Sequence, residues 1–395
     1  MIDYPVGIRS RIIKNINGLS MHILEAGFEE SINKPCVVLL HGFPELAYSW
    51  RKILKPLADA GYHVIAPDQR GYGYTEGWKN NYEGDISEYE ISNLITDIIS
   101  LVYSLDKKSI DCLVGHDFGS IVAAHAAVIR PDIFKSVVLM SAPFNGMPSI
   151  ETVNAIEKVD IHKDLQNLDR PRKHYQWYYS SKIANHDMCN SDQGMKNFLR
   201  AYYHVKSGDW KFNKPFKLKA WEATELEKMP GYYIMDYSLG MAEQVNIDMP
   251  SDEEITNCDW LTDRELEYYV NVFNNTQFQG GLNWYRCMID NKVQANLRLY
   301  SNIQIYIPSM FIAGNMDWGI YQKPDALENM QKKACTNMKS CELIEGAGHW
   351  VQQEKPLEVT KLLLNFLSEL LLNFNYCFTN NFSICYGLHS IKSFF

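Results

Sequence analysis

The chain has 395 residues, 46% hydrophobic and 22% charged, which excludes a disordered or low-complexity protein and supplies enough apolar material for a large core. A formal net charge of −9 without any cluster of Lys and Arg excludes a nucleic-acid-binding surface, because such surfaces gain their affinity from grouped cations. The nine cysteines are odd in number, scattered and form no C-x-x-C pair, so neither a disulfide framework nor a zinc site is indicated, and no metal or cofactor is expected.

The N-terminal segment lacks the continuous apolar stretch of a secretory signal, which implies a cytosolic setting. Residues 11–27 alternate and turn at Asn17-Gly18, predicting a β-hairpin of IIKNI and SMHILEA. The unbroken apolar run at 36–40 predicts a strand buried on both faces, ending at His41-Gly42. A helix over 48–60, a strand at 63–66, a helix over about 86–105, a strand at 110–114, a helix over 119–130 and a strand at 136–140 follow. Units alternating in this way give a parallel sheet with helices on both faces, and active residues are then expected at the carboxyl ends of the strands. From residue 141 to about 302 the chain is rich in Trp and Tyr, mostly helical in pattern and without buried strand runs, which predicts an inserted cap. Strands return at 304–313 and 340–344, with a helix over 324–335 between them and a last helix from 354. The apolar stretch 362–374 is interrupted by Asn365 and Glu369 and is too short to span a bilayer, so no membrane span is expected. The resulting division is a first core part at 1–144, a helical cap at 145–300, a second core part at 301–374 and, lacking any sustained period, a tail at 375–395.

Four short motifs fall at predicted strand ends. In Gly115-His116-Asp117-Phe118-Gly119 the small residues allow a sharp strand-to-helix turn that pushes the central side chain out at the end of the sheet. Serine often occupies that place; aspartate changes the chemistry. With an ordinary pKa of about 3.9 it is ionised without help from a base and can displace a leaving group from saturated carbon, forming an alkyl ester. An aspartate before a helix is also a common N-cap, and on the motif alone that plain role weighs equally. In Gly346-Ala347-Gly348-His349-Trp350 the imidazole falls at the same end of the sheet, suited as the general base that would activate water against such an ester. Asp317, in Gly314-Asn315-Met316-Asp317-Trp318-Gly319, would accept the imidazole N–H and complete a triad. After the central strand, His41-Gly42-Phe43-Pro44 places the backbone N–H of Phe43, with that of Phe118, to bind the oxyanion formed during ester hydrolysis. The run Pro67-Asp68-Gln69-Arg70-Gly71-Tyr72-Gly73 reads instead as an Asp/Arg-stabilised turn.

HGFPE, PDQRGYG, GHDFG, GNMDWG and GAGHW, in this order, resemble the epoxide hydrolases of the α/β-hydrolase superfamily, over about residues 10–370. The resemblance implies an α/β-hydrolase fold with a mostly parallel eight-stranded sheet, helices on both faces and a helical cap. It also implies two cap tyrosines pointing into the site, which fall on Tyr175 in KHYQWYY and Tyr285 in GGLNWYR, with Tyr178 or Tyr179 as alternatives in the first cluster. Phenols, protonated at neutral pH, suit donation to an epoxide oxygen leaving as alkoxide. The implied substrates are an apolar epoxide and water, with Trp177, Trp284, Trp318 and Trp350 as pocket walls. Phe118 stands where many relatives, and the related haloalkane dehalogenases, carry Trp, and the tail has no counterpart in the pattern. A dehalogenase shares the Asp nucleophile but wants side-chain N–H donors where this chain has Phe43 and Phe118; a non-catalytic ligand receptor of the same fold would have a broken triad.

Overall fold

A computed structural model describes residues 4–148, 160–290 and 293–387. The hairpin is β1 (Ile8–Ile16) and β2 (Leu19–Ala26), and its two-residue turn has φ of 48° at Asn17 and 84° at Gly18. Positive φ at both places is what a hairpin twisted like its strands requires, and Asn-Gly is the pair that tolerates it. The strands β3 (Cys36–Leu40), β4 (His63–Pro67), β5 (Cys112–His116) and β6 (Val137–Met140) are buried throughout.

Alternate residues of these strands serve different layers. Val37 and Leu39 pack in one core with Ile53, Leu54 and Leu57 of α1 (Arg51–Asp59). Val38 and Leu40 pack in the other with Ile95, Ile98 and Leu101 of α2 (Ile91–Ser104), and with Val122 and Ala126 of α3 (Phe118–Ile129). The side-chain period of two thus feeds two apolar layers, which is why the strand segments carry no polar alternation.

Two later strands, β9 (Ser309–Gly314) and β10 (Met338–Ile344), complete an eight-stranded sheet of order β1-β2-β4-β3-β5-β6-β9-β10, parallel from β4 to β10 and antiparallel in the β1-β2 and β2-β4 pairs. The chain runs from β3 outward to β4, then crosses to β5 on the other side. That reversal opens a crevice at the carboxyl ends of β3 and β5.

Between β6 and β9 the described residues form mostly helices: α4 (Tyr175–Ser180), α5 (Gly194–Lys206), α6 (Asp263–Thr276) and α7 (Gln279–Ile289) are those that bear on the site. To the mostly helical pattern expected here the structure adds a short antiparallel ribbon of β7 (Arg172–His174) and β8 (Ile234–Asp236). Residues 149–159 and 291–292 of the expected cap lie outside the described residues.

Boundaries shift where local chemistry overrides periodicity. The strand expected from 304 begins at Ser309, because Pro308 has no N–H to give a ladder. The stretch expected as one helix over 324–335 divides into Ala326–Asn329 and a wider turn at Met330–Ala334. The final helix α8, Pro356–Gly387, starts with proline at its first position and runs past residue 375, with no further Pro or Gly before Gly387 to stop it. Residues 388–395 of the expected tail lie outside the described residues. The PDQRGYG run is a turn held by Asp68, which accepts the N–H of Ala47 at 2.8 Å and of Tyr74 at 3.0 Å; Arg70 pairs with Asp97 of α2 instead.

Candidate active site

Asp117 joins β5 to α3 with φ of 52° and ψ of −118°, a conformation that costs an L residue about 1–3 kcal/mol and persists only where packing enforces it. The enforcement is visible: a Cβ at Gly115 would collide with Gly119, and one at Gly119 would lie 2.6 Å from the His41 oxygen. Although Asp117 directly precedes a helix, its side chain does not cap it. Instead Oδ1 accepts the Phe43 N–H at 2.9 Å, and Oδ2 lies 3.2 Å from His349 Nε2. That second contact is close without being aligned as a hydrogen bond. Phe118 opens α3 immediately after the carboxylate.

His349 Nδ1 is 3.1 Å from both oxygens of Asp317, and Asp317 Oδ1 also accepts the Gly319 N–H at 2.6 Å. The residues expected to form a triad therefore meet at one end of the sheet, Asp317 and His349 buried and Asp117 partly exposed. Burial opposes charge on Asp117, but His349, with Lys206 and His116, holds the carboxyl far below its usual range. Burial and the Lys206 charge oppose the imidazolium, yet Asp317 and the contact with Asp117 outweigh them and His349 is raised to about 9. The resting pair is thus carboxylate and imidazolium.

A cavity of about 800 Å³ opens on Asp117 and Phe118 and is walled by Tyr175, Trp284, Tyr285 and Gln322. The rings of Tyr175 and Tyr285 are 6.0 Å apart, one carried by α4 and the other by α7. Burial first, then the Asp117 charge, pushes both phenols well above their ordinary range, so both carry protons. The choice left open in KHYQWYY falls on Tyr175: Tyr178 donates to Asp187 at 3.1 Å and Tyr179 to Tyr202 at 3.0 Å, and neither lines the cavity.

Of the four tryptophans expected as walls, Trp284 lines the cavity, and its indole donates to the Arg70 oxygen at 2.9 Å. The other three do not. Trp177 packs edge-on to His174, Trp318 against Phe216, and Trp350 against Tyr203, whose oxygen accepts its indole N–H at 2.8 Å. On α4 a side chain two positions from Tyr175 points to another face, and the strand-end loops turn Trp318 and Trp350 into the core.

Three further groups were not singled out from the sequence. Glu45, inside HGFPE, is buried with Oε2 at 2.6 Å from His116 Nδ1 and Oε1 accepting from Gln352 at 2.9 Å and Gln353 at 3.0 Å. Its place within a motif was a usable signal. Lys206, buried at the end of α5, has its ammonium within 5.3 Å of the Tyr202, Tyr233 and Trp350 ring centres, and its carbonyl accepts the His349 N–H at 2.8 Å. Glu354 accepts the N–H groups of Gly348 at 2.8 Å, Trp350 at 2.9 Å and Gly208 at 2.8 Å, so one carboxyl ties the histidine loop to the turn after α5. Neither of these two had a sequence signal. Among the described residues no group of three or more His, Cys, Asp or Glu could hold a metal ion, and no helix is long and apolar enough to cross a membrane.

A parallel sheet whose strand-to-helix bend presents an acid, with a histidine and a second acid brought beside it from later strands, has the architecture of the α/β hydrolases. Residues 35–356 match the alpha/beta hydrolase fold family. Epoxide hydrolase A of Mycobacterium tuberculosis (strain ATCC 25618 / H37Rv) is 30% identical over 92% of this chain and 99% of its own length. Epoxide hydrolase 2 of Siraitia grosvenorii is 28% identical over 89% and 96%. Among solved structures, an epoxide hydrolase from an endophytic Streptomyces superposes with a TM-score of 0.74 at 27% identity, covering 93% of this chain and 97% of that one. The chain belongs to the α/β-hydrolase fold family and, within it, to the epoxide hydrolases.

Proposed function

We propose that this hydrolase opens an apolar epoxide to a vicinal diol through an ester on Asp117, in a cytosolic setting, with residues 145–300 acting as the cap over the site. The observation that carries the reading is the Asp117 carboxylate, free of any capping role, set between the Phe43 N–H and His349 and facing the cavity that Tyr175 and Tyr285 wall.

In the first half, an Asp117 oxygen attacks an epoxide carbon; the new C–O bond forms as the ring C–O bond breaks, and the released oxygen takes a phenol proton. In the second, esterification has removed the Asp117 charge that favours the imidazolium, so His349 passes its extra proton to the phenolate; the neutral imidazole then takes a proton from the water that attacks Cγ of the ester, with Asp317 stabilising the imidazolium formed. The Phe43 and Phe118 amides would bind the oxyanion. Collapse breaks the ester bond, the imidazolium protonates the departing alcohol, and the second water proton, left on the Asp117 carboxyl, returns to His349 and restores the resting pair. Halide displacement is disfavoured: Phe43 and Phe118 offer no side-chain donor, and the Trp284 indole is engaged by Arg70.

A single turnover in heavy-oxygen water tests the scheme. The label is expected first in the Asp117 carboxyl and absent from the diol; label in the diol on the first turnover means water attacked the epoxide directly. Asp117→Asn is expected to abolish diol formation.

A further inference from the structure

The two tyrosines at the cavity are not in the same state. The Tyr175 hydroxyl donates to Gln322 Oε1 at 2.9 Å and accepts from Gln176 Nε2 at 3.2 Å, so its one proton is already committed and its oxygen already has a donor. Tyr285 has the same burial and faces the same nucleophile, yet among the described residues nothing hydrogen-bonds its hydroxyl. Its ring is fixed by apolar packing alone, edge-on to Phe43 at 5.4 Å and to Phe118 at 5.3 Å.

Gln322 is not a casual neighbour. The 3-10 turn Trp318–Tyr321 begins at Asp317, whose side chain caps it by accepting the Gly319 N–H, and Gln322 follows its last residue. One short rigid turn thus mounts both the acid that orients His349 and the acceptor that takes the Tyr175 proton. Tyr175 itself comes from α4, so this hydrogen bond joins the insert to the sheet end.

We infer that Gln322 is a positioning residue that holds the Tyr175 proton away from the reacting oxygen, leaving Tyr285 as the first proton donor to the opening epoxide. The inference rests on the ester reading above. When the ring C–O bond breaks, the oxygen takes the Tyr285 proton; Tyr175 contributes its own hydrogen bond only by turning from Gln322 Oε1, exchanging one bond for another. An exchanged bond is worth little net, whereas an unengaged donor aimed at developing charge is worth much more.

The test is single-turnover alkylation with a styrene-type epoxide, followed by mass of the trapped enzyme, in wild type, Tyr175→Phe, Tyr285→Phe, Gln322→Met and the two double variants. Tyr285→Phe is expected to slow ester formation on the order of a hundredfold. Tyr175→Phe is expected to slow it by about tenfold or less. Gln322→Met, similar in volume but without an acceptor, frees the Tyr175 proton, so in that background the two tyrosine effects converge. Equal tyrosine effects in wild type, or a ratio that Gln322→Met leaves unmoved, overturns the inference while the ester scheme stands. Loss of neither rate in the two tyrosine variants overturns the tyrosine roles and the inference together. A purely structural Gln322 would slow all variants alike and leave the ratio where it was.

Discussion

Gly42 and Asp117 approach so closely that a methyl group on residue 42 would lie 2.8 Å from Asp117 Cγ and collide with its Cβ and Oδ1. The approach is what lets the next amide, Phe43 N–H, reach Oδ1 at 2.9 Å. Gly42→Ala must therefore displace either the HGFPE turn or the carboxylate. The expected outcome is a stability cost of about 1–3 kcal/mol from overpacking. Loss of the amide contact is expected to slow turnover on the order of a hundredfold. A thermal melt and steady-state kinetics check both, and a variant as active as wild type would show that the amide–carboxylate contact carries no catalytic weight.

The charge state of His349 has a consequence for folding. Its pKa, ordinarily 6.5, is raised to about 9 in the folded protein, despite burial, by Asp317 and the contact with Asp117. A group that binds its proton more tightly when folded adds stability that is complete below its unfolded pKa and disappears as pH rises through the folded one. Stability should thus decline between about 6.5 and about 9, and Asp117→Asn, which removes one supporting charge, should flatten that decline. Denaturant titrations across the window measure it; equal slopes in the two proteins would mean that Asp117 does not hold the imidazolium.

Glu354 makes the opposite kind of compromise. Burial raises its carboxyl from 4.5 to about 7, against the pull of the Gly348, Gly208 and Trp350 amides. The protonated form is favoured by folding, so its stabilising contribution is full below about 4.5 and is lost as pH rises through about 7. Glu354→Gln should remove this dependence. It should also loosen the His349 loop, slowing ester hydrolysis more than ester formation. A variant in which both half-reactions fall equally would count against a role in placing His349.

The parts of this architecture that could be read from the sequence are those where one physical demand dominates. Runs such as CVVLL are apolar because both faces of the strand are covered, and GHDFG needs glycines because Gly115 and Gly119 touch neighbouring backbone. The aromatic walls were harder to read. Tyr175, Trp177, Tyr178 and Tyr179 share one six-residue helix with equivalent composition, and only the partners, Asp187 for Tyr178 and Tyr202 for Tyr179, decide which ring reaches the cavity. Gln322 offers nothing comparable: it acts through a partner 147 residues away, and no spacing in the chain marks that meeting.

Arg70 and Asp97 form a buried pair, 4% and 2% exposed, with Arg70 Nη2 at 2.7 Å and Nε at 2.8 Å from the carboxylate, and Asn17 donating to Asp97 at 2.7 Å. The pair joins the hairpin turn, α2 and the turn after β4. Asp97→Ala would leave a buried guanidinium with the Asn17 carbonyl as acceptor at 3.0 Å and the more distant Glu88, 3.7 Å away, as its anionic neighbour, and is expected to cost about 3–5 kcal/mol. Replacing both partners with apolar residues should cost much less, because a buried pair's mutual attraction largely offsets its desolvation and contributes little beyond that. Unfolding of the two single variants and the double variant decides between these terms. If the double variant is as unstable as Asp97→Ala, what is lost is the link to Asn17 and the hairpin turn, not the burial of an unpaired charge.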